Sequence, residues 1–137
     1  MKIYFAGSIR GGREKIDTFI QVGELLEKYG TILDKHVLDP NLSSQGENIP
    51  LDEIYKRDMD WIKEADIVVA EVSTPSLGVG YEIAYAESLG KLIICLCDAK
   101  ANLSAMIGGN ENLDLIKYID NDDLLYKLES KLIVKGN

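Results

Sequence analysis

The amino-acid sequence predicts an α/β protein with a mostly parallel five-stranded sheet and helices on both of its faces. Short runs such as residues 67–70 and 92–97 are apolar throughout, as strands buried on both faces are. Segments with helical spacing separate these runs, which indicates successive βαβ units. A chain of 137 residues with a hydrophobic fraction of 46% can bury one core, so we expect a single domain over residues 1–137.

Each element has a local reason. Strands are predicted where short β-rich runs are bounded by turn residues, at residues 2–6, 31–38, 66–71, 91–97 and 115–119, with an interruption of the second around Asp34-Lys35. Helices are predicted at residues 13–29, 49–64, 80–88 and 121–134. Gly30 ends the first helix, Pro50 lies in the first turn of the second, and Asn121 or Asp122 caps the last. Polar or glycine-containing loops fill residues 7–12, 39–48, 73–80 and 99–112.

Composition excludes several classes of function. A net charge of −8 argues against nucleic-acid polymers and anionic membranes as partners. The apolar runs are too short to span a bilayer, and the first residues form a strand and turn rather than a signal peptide. Two cysteines one residue apart and a single histidine do not match a zinc site. We therefore expect a cytoplasmic protein without a zinc site.

The loop after the first strand is a candidate anion site. It reads Gly7-Ser-Ile-Arg-Gly-Gly12 and precedes a helix, the position at which α/β proteins bind phosphates. It matches neither the P-loop nor the dinucleotide fingerprint. A tight turn with a solvated Arg10 is the alternative. Adjacent glycines beside polar side chains favour ligand contact through Gly7, Ser8, Ile9, Arg10 and Gly11.

Asp58 is the first candidate catalytic acid. Its neighbours at three and four residues on the helix are apolar or aromatic: Ile54, Tyr55, Trp61 and Ile62. Burial in such surroundings raises the pKa of a carboxyl group, which suits a proton donor. The alternative is a structural aspartate bound to Arg10, Arg57 or a backbone amide.

Glu82 is the second candidate acid. It follows the glycine-containing stretch Ser76-Leu-Gly-Val-Gly80 and is expected in the first turn of a helix. An acid at a helix start needs no function on its own. Together with Asp58 it forms a carboxylate pair of the kind that cleaves glycosidic bonds, one acting as nucleophile and the other as acid. Ser76, Gly78 and Gly80 would bind the anionic end of the substrate.

Tyr4 shares a face of the first strand with Ala6, opposite Phe5. A core tyrosine is the simple explanation, yet its hydroxyl needs a partner, and a catalytic carboxylate would provide one. Ser104 and Met106 lie in the short apolar segment 103–107, where Ser104 could also be a simple cap. His36 has no nucleophile signature near it and is interpreted as structural or solvated.

These motifs together resemble the 2′-deoxynucleoside 5′-monophosphate N-hydrolases (the Rcl type), which belong to the nucleoside 2-deoxyribosyltransferase-like group. The similarity covers nearly the whole chain, through segments that begin at Tyr4, Asp58, Ala65, Pro75 and Leu103. One departure is Gly108-Gly109, which stand where the family pattern has a basic side chain.

The resemblance implies a flavodoxin-like (Rossmann-like) fold and a homodimer. It also implies hydrolysis of deoxyribonucleotides to free base and 2-deoxyribose 5-phosphate without a metal or cofactor. It implies that Glu82 is the nucleophile of a covalent intermediate, that Asp58 assists departure of the base, and that Tyr4 orients Glu82. It also implies that the loop after the first strand, with Ser76, Gly78 and Gly80, surrounds the sugar and phosphate. Ser104 would reach the phosphate from the neighbouring subunit.

Three alternatives remain open at this point. A deoxyribosyltransferase would pass the sugar to a second base instead of water. A ribonucleotide N-hydrolase, of the type that acts on CMP, would differ only around the 2′ position. A nucleotide-binding module without catalysis would use both acids structurally.

Overall fold

The computed structural model describes residues 1–135, which form five strands and five α-helices. The strands are β1 (Lys2–Ala6), β2 (Thr31–Ile32), β3 (Ile67–Glu71), β4 (Leu92–Asp98) and β5 (Asp114–Tyr118). The helices are α1 (Ile16–Glu27), α2 (Leu51–Glu64), α3 (Leu77–Ser88), α4 (Ala105–Gly108) and α5 (Asn121–Lys135). All strand pairs are parallel, in the order β2-β1-β3-β4-β5. This is the flavodoxin-like order, so the predicted fold class is confirmed.

Two apolar layers cover the sheet, one on each face. Helices α1 and α5 pack on the face that carries Ile3 and Phe5 of β1. Helices α2 and α3 pack on the opposite face, which carries Tyr4 and Ala6. Because strand side chains alternate, this assignment follows from β1 alone, and it places the Tyr4 side chain beneath α2 and α3.

The second strand is much shorter than predicted. The Leu33 N–H still donates to the Ile3 carbonyl at 2.9 Å, but Phe5 N–H then donates to the Asp34 side chain at 2.8 Å. A buried carboxyl group therefore takes the place of the next strand residue. A 3-10 helix over Lys35–Leu38 follows, so the prediction of a strand over residues 31–38 was wrong beyond Ile32.

Helix boundaries differ from the prediction where capping decides them. Pro50 is the N-cap of α2 rather than a first-turn residue, and its carbonyl accepts from the Glu53 and Ile54 N–H groups. Asp120 caps α5, because its Oδ1 accepts from the Asp123 N–H at 2.8 Å. Neighbouring Asp and Asn residues are equally good N-cap candidates in a sequence, and only the path of the backbone decides which of them caps the helix. Across residues 1–135, none of the helices is long and apolar enough to cross a membrane.

Candidate active site

Tyr4 and Glu82 are in direct contact. Tyr4 is the central residue of β1, is 2% exposed, and donates its hydroxyl to Oε2 of Glu82 on α3. The Glu82 side chain also lines a cavity. The structure thus brings together two residues 78 positions apart that the sequence could associate only by resemblance.

The surroundings of Glu82 shift its pKa toward neutral pH. Burial raises the pKa of Glu82 to about 7, with the nearby Asp58 carboxylate acting in the same direction and the Tyr4 hydrogen bond opposing both. Burial and the Glu82 charge raise the pKa of Tyr4, so its hydroxyl keeps its proton and remains a donor. Near pH 7 Glu82 therefore exists in both forms, and its carboxylate is available as a nucleophile.

Asp58 lies on α2 at the edge of the buried stripe rather than within it. Met59 and Ile62 are the buried residues of this helix, whereas Tyr55 is 54% exposed. Asp58 is half-buried, and Arg57 Nε donates to its Oδ1 at 3.0 Å. Burial raises the pKa of Asp58, and the Arg57 hydrogen bond and charge oppose that rise. Asp58 thus has the arginine partner that a structural aspartate would need, but its carboxyl group also lines a cavity.

One cavity of about 460 Å³ contains both acids. It lies beyond the carboxyl ends of β1 and β3, where ligands bind in parallel sheets. The loop after β1 and the start of α3 supply most of its other predicted residues: Gly7, Ile9, Arg10, Gly11, Ser76 and Gly78. Its remaining wall includes Gly46 and Glu47, which come from the loop that precedes α2.

The loop after β1 approaches the α3 start so closely that a side chain would not fit. A Cβ on Gly11 would lie 2.5 Å from the Pro75 carbonyl and 2.9 Å from the Ser8 Oγ, and Gly12 has a φ of +129°. Ser8 itself is buried, and its Oγ has no hydrogen-bond partner within residues 1–135. It lies inside the loop, whereas Arg10 is exposed at the cavity. Of the predicted contacts in this loop, Ser8 is therefore the one that does not line the cavity.

Helix α3 begins earlier than predicted. Its first residue is Leu77, and Ser76 Oγ accepts from the Val79 N–H at 3.3 Å. Gly78 and Gly80 are thus in the first helical turn rather than in a loop, and Glu82 is in the second turn rather than the first. A Cβ on Gly80 would meet no described atom within 4 Å, so open space lies beside it. The first turn of a helix has N–H groups without intrahelical partners, and these groups can bind an anion.

Ser104 and Met106 lie outside the cavity that contains the acids. Ser104 caps α4 by accepting from the Met106 N–H at 3.2 Å, and both residues are exposed. They line a second, larger cavity of about 600 Å³ between α3 and α4. Ser76 and Leu77 border both cavities, so the two are adjacent. Within one chain, Ser104 does not join Glu82.

Three side chains near Asp58 were not predicted as site residues. Arg57 binds Glu47 with both terminal nitrogens, at 2.9 and 2.6 Å, and His36 Nε2 lies 3.1 Å from Glu47 Oε1. His36 is thus half-buried and paired, consistent with the structural interpretation. The loop that carries Glu47 has no periodicity, so its sequence contains no signal for this contact. No group of three or more His, Cys, Asp or Glu side chains in the described part of the chain is arranged to hold a metal.

Comparisons with known proteins identify sequences that are similar to this chain. A family model described as nucleoside 2-deoxyribosyltransferase matches residues 3–125. The 5-hydroxymethyl-dUMP N-hydrolase of Mus musculus is 47% identical over an alignment of 111 residues, and the match covers 78% of this chain and 64% of the mouse protein. A Thermofilum pendens protein named "Putative 2′-deoxynucleoside 5′-phosphate N-hydrolase 1" is 42% identical over an alignment of 137 residues, and the match covers 96% of this chain and 95% of that protein.

Solved structures show the same fold. A Clostridium botulinum CMP N-glycosidase superposes with a TM-score of 0.70 and 25% identity, over 94% of this chain and 99% of its own. A 2-deoxyribosyltransferase of Bacillus psychrosaccharolyticus superposes with a TM-score of 0.67 at 21% identity, over 96% of each chain, and supports the fold alone.

Proposed function

This chain belongs to the nucleoside 2-deoxyribosyltransferase family, and on that premise we propose that it is an N-glycosidase of 2′-deoxyribonucleoside 5′-monophosphates. It would release the free nucleobase and 2-deoxyribose 5-phosphate. The observation that supports this most directly is that Asp58 and Glu82 line the same cavity, with the Tyr4 hydroxyl bound to Glu82. The names of the mouse and Thermofilum relatives support the same reaction class.

The proposed reaction has two steps. The free oxygen of the Glu82 carboxylate attacks C1′ of the sugar, and the electrons of the C1′–N bond pass to the base. Asp58 gives its proton to the departing base, which leaves as a neutral molecule. Water then adds to C1′ and loses a proton to Asp58, while the bond to Glu82 breaks and restores its carboxylate. Tyr4 fixes the Glu82 rotamer and keeps part of it ionised.

The phosphate end is assigned to the α3 start and the loop after β1. The first-turn N–H groups of α3, the Ser76 hydroxyl and the Arg10 guanidinium would bind it. Gly78 and Gly80 leave the backbone accessible at this point. The acids then lie deeper, at the anomeric carbon, so the like charges of phosphate and carboxylate are separated by the sugar.

A homodimer accounts for the second cavity. Leu77 is 97% exposed and Met106 is 81% exposed beside that largely apolar cavity. Large apolar side chains exposed together mark an interaction surface. A second copy seated there would bring its Ser104 next to the α3 start, where the phosphate is proposed to bind. We also place the enzyme in the cytoplasm, where the buried, unpaired Cys95 and Cys97 would stay reduced.

A screen of base release tests the proposal. The purified protein is incubated with each deoxyribonucleoside 5′-monophosphate, with 5-hydroxymethyl-dUMP, and with CMP, and free base is separated by chromatography. CMP is included because of the likeness to a CMP N-glycosidase. The Glu82→Ala variant should bind nucleotide without turnover. Release from none of these substrates by a folded protein would refute the proposal, and a new nucleoside formed with an added acceptor base would indicate transfer.

A further inference from the structure

Arg57 is shared between two carboxylates. Its Nη1 and Nη2 donate to Glu47 at 2.9 and 2.6 Å, and its Nε donates to Asp58 Oδ1 at 3.0 Å. The guanidinium carbon lies 4.7 Å from the ring centre of Trp61, which holds it in place. The side chains of Arg57, Glu47 and Asp58 are 26%, 20% and 18% exposed, so water screens this cluster only partly.

The geometry divides the positive charge unequally. Glu47 takes the bidentate pair, which is the stronger arrangement between a guanidinium and a carboxylate. Asp58 Oδ1 accepts one hydrogen bond, from Nε at 3.0 Å, and also lies 2.9 Å from Nη2, which donates to Glu47 Oε1 at 2.6 Å. His36 adds a further contact to Glu47 Oε1 at 3.1 Å, and burial holds the pKa of His36 below its ordinary value, so this contact brings no second positive charge at neutral pH. Glu47 therefore has the closer and more extensive contact with the Arg57 charge.

An arginine without such a counter-charge would hold Asp58 in its ionised form, because an adjacent opposite charge favours the carboxylate. An ionised Asp58 has no proton to give to a departing base. We propose that Glu47 is a positioning residue that, by binding Arg57, increases the affinity of Asp58 for the proton that it gives to the departing base. This inference rests on the proposed function for that role, but the proton affinity of Asp58 can be measured without substrate.

The other groups that face Asp58 must be considered as well. Glu82 and Tyr4 lie across the cavity, and Asp34 is buried behind Tyr4. Arg10 lines the same cavity but is exposed. Glu82 and Asp34 act on Asp58 in the same direction as Glu47. They are not bound to Arg57, so changing Glu47 is the perturbation that releases its charge.

The test compares Glu47→Gln, Arg57→Gln and the double variant. Asp58 is followed by carbon NMR of carboxyl-labelled aspartate, with Asp58→Asn used to assign the signal. Glu47→Gln should lower the Asp58 titration midpoint by about one pH unit, and Arg57→Gln should raise it by a similar amount. The double variant should lie between them, since each change removes the partner through which the other acts.

Base release is measured on the same proteins across pH. The alkaline limb of the kcat profile should move to lower pH in Glu47→Gln and to higher pH in Arg57→Gln. The control variant Glu53→Gln, which changes an exposed residue of the same helix, should leave both the alkaline limb and the Asp58 titration midpoint unchanged. If Glu47 and Arg57 only held the structure together, replacing them would lower kcat at every pH and would leave the Asp58 titration midpoint and the alkaline limb of the kcat profile unchanged. That result would overturn the inference. Wild-type protein that titrates as predicted but releases no base would refute the proposed function alone.

Discussion

Replacing Tyr4 with phenylalanine tests how Glu82 is kept active. The change removes the hydroxyl that donates to Glu82 Oε2 and leaves the buried ring in place. A hydrogen bond to a charged group contributes about 1.5–3 kcal/mol, and about 1.4 kcal/mol corresponds to one pKa unit, so the pKa of Glu82 should rise by about one to two. It starts at about 7, because burial has already raised it.

The consequence is a pH-dependent loss of activity. At pH 7 the ionised fraction of Glu82 falls from about one half to about 1–10%, which predicts a roughly 5- to 50-fold slower release of base. At pH 9 most of the carboxylate returns, so the ratio of variant to wild-type rates should recover to about one half or better. The assay is base release under saturating nucleotide between pH 5.5 and about 9.

Tyr118→Phe is the matched control. Tyr118 is also 2% exposed and also donates to a carboxylate, that of Glu71, but on the opposite face of the sheet. It should lose comparable stability and keep the wild-type pH profile. If Tyr4→Phe loses the same factor at every pH, or behaves like Tyr118→Phe, then Tyr4 does not act through the ionisation of Glu82.

Three further predictions follow from the same structure. Glu82→Gln should abolish base release. In denaturant unfolding at pH 8 the variant should be more stable than wild type by up to about 3 kcal/mol, because ionising the buried Glu82 carboxyl group destabilises the wild-type fold as pH rises from 4.5 through about 7. Near pH 4 the two proteins should be equally stable, because the carboxyl group is then protonated in both the folded and the unfolded wild-type chain. Leu77→Glu combined with Met106→Glu should shift sedimentation from dimer to monomer and raise KM; an unchanged dimer would place the interface elsewhere. Ser76→Ala should cost about 0.5–2 kcal/mol of stability through the lost cap, and should raise KM for the nucleotide more than it lowers kcat.

Local sequence determined the layers of this protein. Alternation along β1 separated Tyr4 and Ala6 from Phe5, and wholly apolar runs located β3 and β4. The alternation of strands with helices was sufficient for the parallel sheet, because parallel strands need a crossover helix between them. The same rule placed the cavity at the carboxyl ends of the strands before any contact was known.

Tertiary structure decided what depends on residues far apart in the chain. Asp34 ends β2 by bonding to Phe5, and the Ser76 cap starts α3 three residues earlier than its glycines suggested. The periodicity of a sequence indicates which face of an element is apolar. It does not predict that a carboxyl group binds another strand or that a loop packs against a helix. The sequence therefore predicted both acids as candidates, but only the folded chain showed that Arg57 joins one of them to Glu47.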